Sequence, residues 1–322
     1  MPRERAAGAG LGLALLSAAT FGTSGSFARS LTDAGWSPAA AVAARISTAA
    51  VILAVPAVLS LRGRWQALWR NLGMVASYGL VAVAGCQVFF YNAIQHLSVG
   101  VALLLEYLGT VLVVGWLWIR HGNRPRRLTV SGSVVALLGL VFVLDLTGSN
   151  HLDPIGVLYG LAAAVGLAVY FVLSSRADDD LPAVAVASAG MGIGAATLLG
   201  LGGLGMVPMS ASFGTVQFAG HRASWLVPVV GLSLVAAAIA YVAGIGAARV
   251  LGPKLASFVG LTEVLFAVLF AWLLLGELPT GLQLVGGLLI VAGVALVRID
   301  ELRPTFAKAL TPPPEDAKVM AG

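Results

Sequence analysis

LSVGVALLLEYLGTVLVVGWLWIRHGNRPRRLTVSGSVVALLGLVFV (residues 97–143) and LGPKLASFVGLTEVLFAVLFAWLLLGELPTGLQLVGGLLIVAGVALV (residues 251–297) read as two versions of one pattern, offset by 154 without a gap. Leu97 answers Leu251, Ala102 answers Ala256, and Trp118 answers Trp272. Gly122, Leu128, Gly132 and Gly139 answer Gly276, Leu282, Gly286 and Gly293. Such a match implies duplication, and the duplicated stretch is almost wholly apolar. Repeated, glycine-rich apolar halves are a pattern of secondary transporters.

Composition points the same way. The chain of 322 residues is 59% hydrophobic and only 10% charged, where a soluble protein carries about a quarter charged residues. Its 19 basic and 14 acidic residues cannot cover the surface of a soluble body of this length. A lipid bilayer is therefore the expected solvent. The net charge of +5 does not argue for nucleic acid, because the basic residues fall in short clusters between apolar runs. Cys86 is the single cysteine, which excludes an intramolecular disulfide and a thiolate metal site. No cofactor is implied.

About 20 apolar residues cross a bilayer as a helix, and helices satisfy their own backbone there. Ten such segments are expected: roughly 8–29, 38–61, 71–93, 98–120, 128–145, 154–175, 182–207, 224–248, 254–276 and 280–298. Met1–Gly22, with Arg3 and Arg5 ahead of its apolar run, reads as the first of these rather than as a signal peptide. Ser37-Pro38, Asp153-Pro154 and Leu181-Pro182 are abrupt joints where proline can open a helix. Residues 299–322, with Pro312, Pro313 and Pro314, read as a disordered cytoplasmic tail.

The positive-inside rule orients the spans. With both termini cytoplasmic, the inner segments hold Arg3, Arg5, Arg62, Arg64, Arg70, Arg120, Arg124, Arg126, Arg127, Arg176, Arg249, Lys254, Arg298, Arg303, Lys308 and Lys318. Only Arg29, Arg45 and Arg222 fall elsewhere. The expected fold is an all-α membrane protein of ten transmembrane helices, with five-helix repeats over 1–147 and 148–298. Five spans per half is odd, so the second repeat is inverted relative to the first. The location is an inner or plasma membrane.

The stretch Leu103-Leu104-Leu105-Glu106-Tyr107-Leu108-Gly109 resembles the fourth helix of the EamA branch of the drug/metabolite transporter superfamily, and within it the threonine/homoserine exporters. Leu275-Gly276-Glu277, Gly286, Gly293, the Glu263 segment and Arg124-Pro125-Arg126 fit the same resemblance, which covers residues 8 to about 298. Thr110 and Val264 stand where that family often has proline. The resemblance implies gradient-driven or proton-linked export of small polar metabolites, often amino acids, with multidrug efflux as the alternative on the same fold. It carries no agreed set of catalytic residues.

Ionisable groups inside hydrocarbon cost roughly 2.5–3.5 kcal/mol on insertion scales, so they mark function or pairing. Arg45 and Glu106 each lie about seven or eight residues into their spans from outside, a shared depth of roughly 10–12 Å. They could meet the carboxylate and ammonium of an amino acid, or pair with each other; a snorkelling Arg45 is the third option. Glu263 enters the ninth span from the cytoplasmic side and aligns with Gly109, one turn from the equivalent of Glu106. Two carboxyls on opposite sides of the midplane would suit proton uptake and release. Asn92, Tyr107 and Tyr241 are the expected hydrogen-bonding groups of the pathway. Gly8, Gly12, Gly132, Gly139, Gly286 and Gly293 read as close helix contacts, which suit a homodimer and intramolecular packing equally.

A different class is also open. Gly22-Thr23-Ser24-Gly25 matches the GxSG of intramembrane serine proteases, where the serine needs a histidine from another helix. His96, His121, His151 and His221 all fall at span ends or in loops. Asp178-Asp179-Asp180 reads as a solvated charge run.

Overall fold

A computed structural model describes residues 2–122, 124–145, 153–176 and 181–310. The first half contains α1 (Pro2–Gly22), α2 (Ser24–Thr32), α3 (Pro38–Ser60), α4 (Trp65–Arg70), α5 (Leu72–Ser77), α6 (Cys86–His96), α7 (Val99–Tyr107), α8 (Gly109–His121) and α9 (Arg127–Val143). The second contains α10 (Pro154–Ser174), α11 (Ala183–Gly203), α12 (Leu226–Ser233), α13 (Ala240–Gly260), α14 (Glu263–Leu275) and α15 (Gly281–Leu310). Two π-helical stretches, Tyr78–Gly85 and Leu234–Ile239, join α5 to α6 and α12 to α13. Among the described residues eight helices are long and apolar enough to cross a membrane, and Arg127–Val143 and Glu263–Leu274 are shorter apolar helices.

Local chemistry explains the helix starts. Ser37 accepts a hydrogen bond from the Ala40 N–H at 3.2 Å, and Asp153 accepts one from Ile155 at 2.9 Å. Pro38 and Pro154 follow as first helical residues, where their missing N–H costs nothing. Pro182 instead precedes its helix, which begins at Ala183. The Ile155 N–H, and then His96 at 2.8 Å, hold the Asp153 carboxyl below the usual carboxylate range.

Several features recur at the 154-residue offset. The fourth segment breaks at Leu108 between α7 and α8, and the ninth breaks at Leu261–Thr262 between α13 and α14. Gly122 (φ 69°) and Gly276 (φ 75°) end α8 and α14 in the left-handed conformation that glycine adopts without strain. Contacts recur as well: α1 packs on α13 and α14, while α10 packs on α6, α7 and α8. The α3–α11 and α9–α15 pairs join the two halves directly.

The α9–α15 contact is backbone against backbone. A Cβ on Gly139 would stand 2.6 Å from the Gly286 carbonyl oxygen, and one on Gly293 would stand 2.6 Å from that of Gly132. The glycines at these four positions are what let the helices meet. Gly8 and Gly12 differ from expectation: both are exposed, with open space where a Cβ would go. The packed glycines of that helix are Gly10, against Val250, and Gly22, against Phe266 and the backbone of α14.

Three further departures are physical. The expected eighth and ninth spans form a nearly continuous run, interrupted at Gly252 (φ 77°, ψ 164°) before Pro253. The segment expected as an outer loop carries β1 (Thr215–Phe218) and β2 (His221–Ser224), an antiparallel hairpin, so the fold is not purely helical. Ala219 (φ 50°) and Gly220 (φ 77°) supply the two left-handed residues that such a tight turn requires. Finally, α15 runs to Leu310, so residues 299–310 are helical rather than a disordered tail. Buried Asp300 accepts a hydrogen bond from Thr129 at 2.6 Å, and Glu301 pairs with Lys254, which anchors the extension. Residues 311–322 and Asp178-Asp179-Asp180 lie outside the described residues.

The hairpin segment is tied to the bundle at one end. Trp36 Nε1 donates to the Ser212 carbonyl at 2.6 Å, and the Ser37 N–H donates to that of Ser210 at 2.9 Å. Trp36, Phe213 and Trp225 form a ring cluster there, with centroids 5.1–5.8 Å apart. This end of the bundle is called the hairpin end below.

Candidate functional site

A cavity of about 320 Å³ lies among the helices of both halves. Arg45, Glu106, Tyr107, Tyr241 and Glu263 all line it. Asn92 does not: it donates to the Val88 carbonyl of its own helix at 2.8 Å. The remaining candidates converge although they come from α3, α7, α13 and α14.

Arg45 is 8% exposed and is held from two sides. Its Nη1 donates to Ser24 Oγ at 3.2 Å and its Nη2 donates to the Ala236 carbonyl. Ser24 opens α2, just past the break at Thr23 that separates it from α1, and Ala236 lies in the second π-helical stretch. A π turn displaces the regular i→i+4 ladder, and such turns are frequent at functional sites. The Phe21 ring lies 5.5 Å from the guanidinium carbon, a cation–π contact. Nε is buried without a partner, and no carboxylate of the described residues lies within ion-pair distance of Arg45. The direct Arg45–Glu106 ion pair is therefore absent from this structure.

Glu106 and Glu263 are both partly buried at the cavity wall. The Cys86 thiol donates to Glu106 Oε1 at 3.2 Å. Glu263 lies within electrostatic reach of Glu106 and Arg45, with the Tyr107 hydroxyl beside it. The helix breaks at Leu108 and Leu261–Thr262 adjoin these two acids, so irregular backbone sits where it lines a cavity. Tyr241 packs edge-on against Phe21 (5.0 Å) and Tyr170 (5.6 Å). Ser17 of α1, another lining residue, donates to the Ala240 carbonyl at 2.8 Å and joins the halves beside the site.

Cys86 and Ser24 are the functional-site residues that sequence reasoning missed in these roles. A lone cysteine in an apolar run carries no signal until its neighbour Glu106 is known. Ser24 reads from the sequence only as a nucleophile. No histidine among the described residues lines the cavity that holds Ser24. His96 is paired with Asp153, His221 contacts the Ala219 carbonyl in the hairpin turn, and His151 lies outside the described residues. Arg29, at the hairpin end of α2, pairs with Glu277 from the other half.

Comparison with known proteins places this site in context. The profile of the EamA-like transporter family matches residues 8–145 and again residues 154–299. A protein of Streptantibioticus cattleyicolor named "Probable terminal-alkyne amino-acid exporter" is 31% identical over 82% of this chain and 84% of its own length. An uncharacterized transporter of Archaeoglobus fulgidus is 30% identical over 70% of this chain and 76% of its own. The threonine/homoserine exporter RhtA of Salmonella typhimurium is 33% identical over 32% of this chain and 33% of its own. A solved crystal structure aligns with a TM-score of 0.73 over 91% of this chain and 98% of that one, at 20% identity, which speaks for the fold alone.

Proposed function

The chain belongs to the EamA-like transporter family, and on that premise we propose that it exports a small metabolite of the amino-acid class by alternating access. The observation that carries this reading is Arg45, a buried guanidinium without a carboxylate partner that faces a cavity holding two carboxyls. An amino acid brings the complementary groups. Its carboxylate suits the guanidinium fork, and its ammonium suits Glu106 or Glu263. The named substrates of two relatives, terminal-alkyne amino acids and threonine/homoserine, support the same class.

The architecture we propose is ten spans in two inverted repeats, 1–147 and 148–298, with both termini cytoplasmic and the hairpin end outside. The two family matches and the recurring breaks and caps support it. So does the glycine contact. A two-fold axis in the membrane plane exchanges Gly132 with Gly286 and Gly139 with Gly293. It therefore turns the Gly132–Gly293 contact into Gly286–Gly139, its observed counterpart. Related halves of this kind can exchange conformations about a fixed midplane site. The two carboxyls sharing the cavity are the groups through which protons would be exchanged for substrate.

Counterflow of labelled neutral amino acids in proteoliposomes tests the reading. Arg45→Ala is expected to raise KM for carboxylate-bearing substrates about tenfold or more, the value of a charge-assisted hydrogen bond. Unchanged affinity would remove the guanidinium from substrate binding. Ser24→Ala should raise KM by a smaller factor, roughly threefold to tenfold, since it loses one hydrogen bond that orients Arg45. A variant with wild-type KM would leave Ser24 without that role.

A further inference from the structure

The cavity is not uniform along its length, and its gradient bears on the substrate's side chain. Glu106 and Cys86 stand at one level, joined by a hydrogen bond, and Arg45 lines the same cavity from a third helix. One turn closer to the hairpin end, each helix presents an apolar side chain to the same cavity: Val42 before Arg45, Leu103 before Glu106, and Phe90 after Cys86. These directions follow from the chain path, because α3 and α7 start at the hairpin end and α6 finishes there. The spacings of three and four residues put each pair on one helix face. Beyond that layer come Ile94, a further turn along α6, and Val207 from the segment before the hairpin. Tyr91 adds an aromatic ring with a single hydroxyl at the level of Phe90.

A second observation separates head from tail. The charged groups of the lining are the buried Arg45 with its unpaired Nε, Glu106 and Glu263; toward the hairpin end the polar lining groups are uncharged, the hydroxyls of Thr32 and Tyr91. The apolar layer contains no charged group of the described residues. With about 320 Å³ of space the cavity falls within the range of pockets that enclose whole small molecules.

Resting on the amino-acid reading above, we infer that the substrate is an amino acid with a bulky apolar side chain. Its charged head lies at Arg45 and Glu106, and its side chain points toward the hairpin end between Val42, Phe90 and Leu103. These three residues then determine specificity. A side-chain hydroxyl such as that of threonine would find no partner on Val42, Phe90 or Leu103, and the nearby Thr32 hydroxyl already donates to the Arg29 carbonyl. Discrimination by an apolar pocket of this kind amounts to about tenfold to a hundredfold.

The test is counterflow into proteoliposomes of the full chain, with labelled leucine, phenylalanine and threonine supplied separately at equal concentration. Leucine and phenylalanine are expected to exceed threonine in kcat/KM by about tenfold or more. Phe90→Ser should lower the leucine-to-threonine ratio by about the same factor, and Leu103→Asn provides the same reading if that variant does not fold. Threonine carried as well as leucine by the wild type would overturn the inference while leaving the amino-acid reading in place. Accumulation of none of the three by folded protein would overturn both.

Discussion

Glu106→Gln protein is expected to insert and fold normally while its transport falls roughly ten- to hundredfold, the value of one charged hydrogen bond. Glutamine keeps the volume and a carbonyl oxygen, so it can still accept the Cys86 thiol. What it loses is the negative charge and the proton site. Arg45 remains a permanent cation, and Glu263 is left as the only acid among the described residues that line the cavity. Substrate ammonium would then have one anionic partner instead of two. If protons are exchanged through this carboxyl pair, a pH gradient imposed across the vesicle should drive uptake by the wild type and not by the variant. The measurement is counterflow and gradient-driven uptake side by side, across about two units around neutrality. Wild-type rates and an unchanged pH profile in the variant would take Glu106 off the pathway.

Gly139→Ala is expected to remove most folded protein, although the change adds one methyl group. Its Cβ would stand 2.6 Å from the Gly286 carbonyl oxygen and 2.7 Å from the Ile290 nitrogen, both backbone atoms that cannot rotate away. The helices α9 and α15 would have to separate, and overpacking of this kind costs about 1–3 kcal/mol, occasionally more. Close backbone approach is also what drives helix association where lipid is as apolar as the side chains. Gly293→Ala should behave in the same way, since its Cβ would meet the Gly132 carbonyl at 2.6 Å. Gly8→Ala and Gly12→Ala are the controls. Both sites are open, and alanine in place of helical glycine should be neutral or stabilising by up to about 1 kcal/mol. Thermal unfolding in detergent reads all four. A Gly139→Ala protein as stable as the wild type would contradict the α9–α15 contact.

The contrast between those glycines shows where sequence reasoning runs out. Gly132, Gly139, Gly286 and Gly293 stood out because the duplication pairs them, and a pairing kept across two halves reflects a shared contact. Gly8 and Gly12 had only spacing in their favour. A one-dimensional pattern says which residues share a helix face, but not whether that face meets protein or lipid. Both solvents of a membrane helix are apolar, so hydropathy does not separate them.

The candidate site divides along the same line. Arg45, Glu106 and Glu263 were readable because a charge in an apolar run is expensive wherever the helix lies. Asn92, a neutral amide, carried a weaker signal and turned out to satisfy itself on the Val88 carbonyl. That Arg45 is held by Ser24 and the Ala236 carbonyl instead of Glu106 depended on two backbone irregularities, the helix break at Thr23 and the π stretch at Leu234–Ile239. Neither has a composition signal. The hairpin was similarly hidden: its strands are four residues each and carry no sustained alternation.

By itself, the sequence determined that the chain is an apolar, duplicated helical protein and which few residues are costly enough to need a reason. Those are consequences of solvent transfer energies, which each residue carries with it. The tertiary structure alone decided that Arg45, Glu106 and Glu263 share one cavity, that Cys86 and Ser24 support them, and that the layer toward the hairpin is apolar. Such facts depend on how distant helices cross and where their hydrogen-bond ladders break, and packing settles both only when all the helices are together.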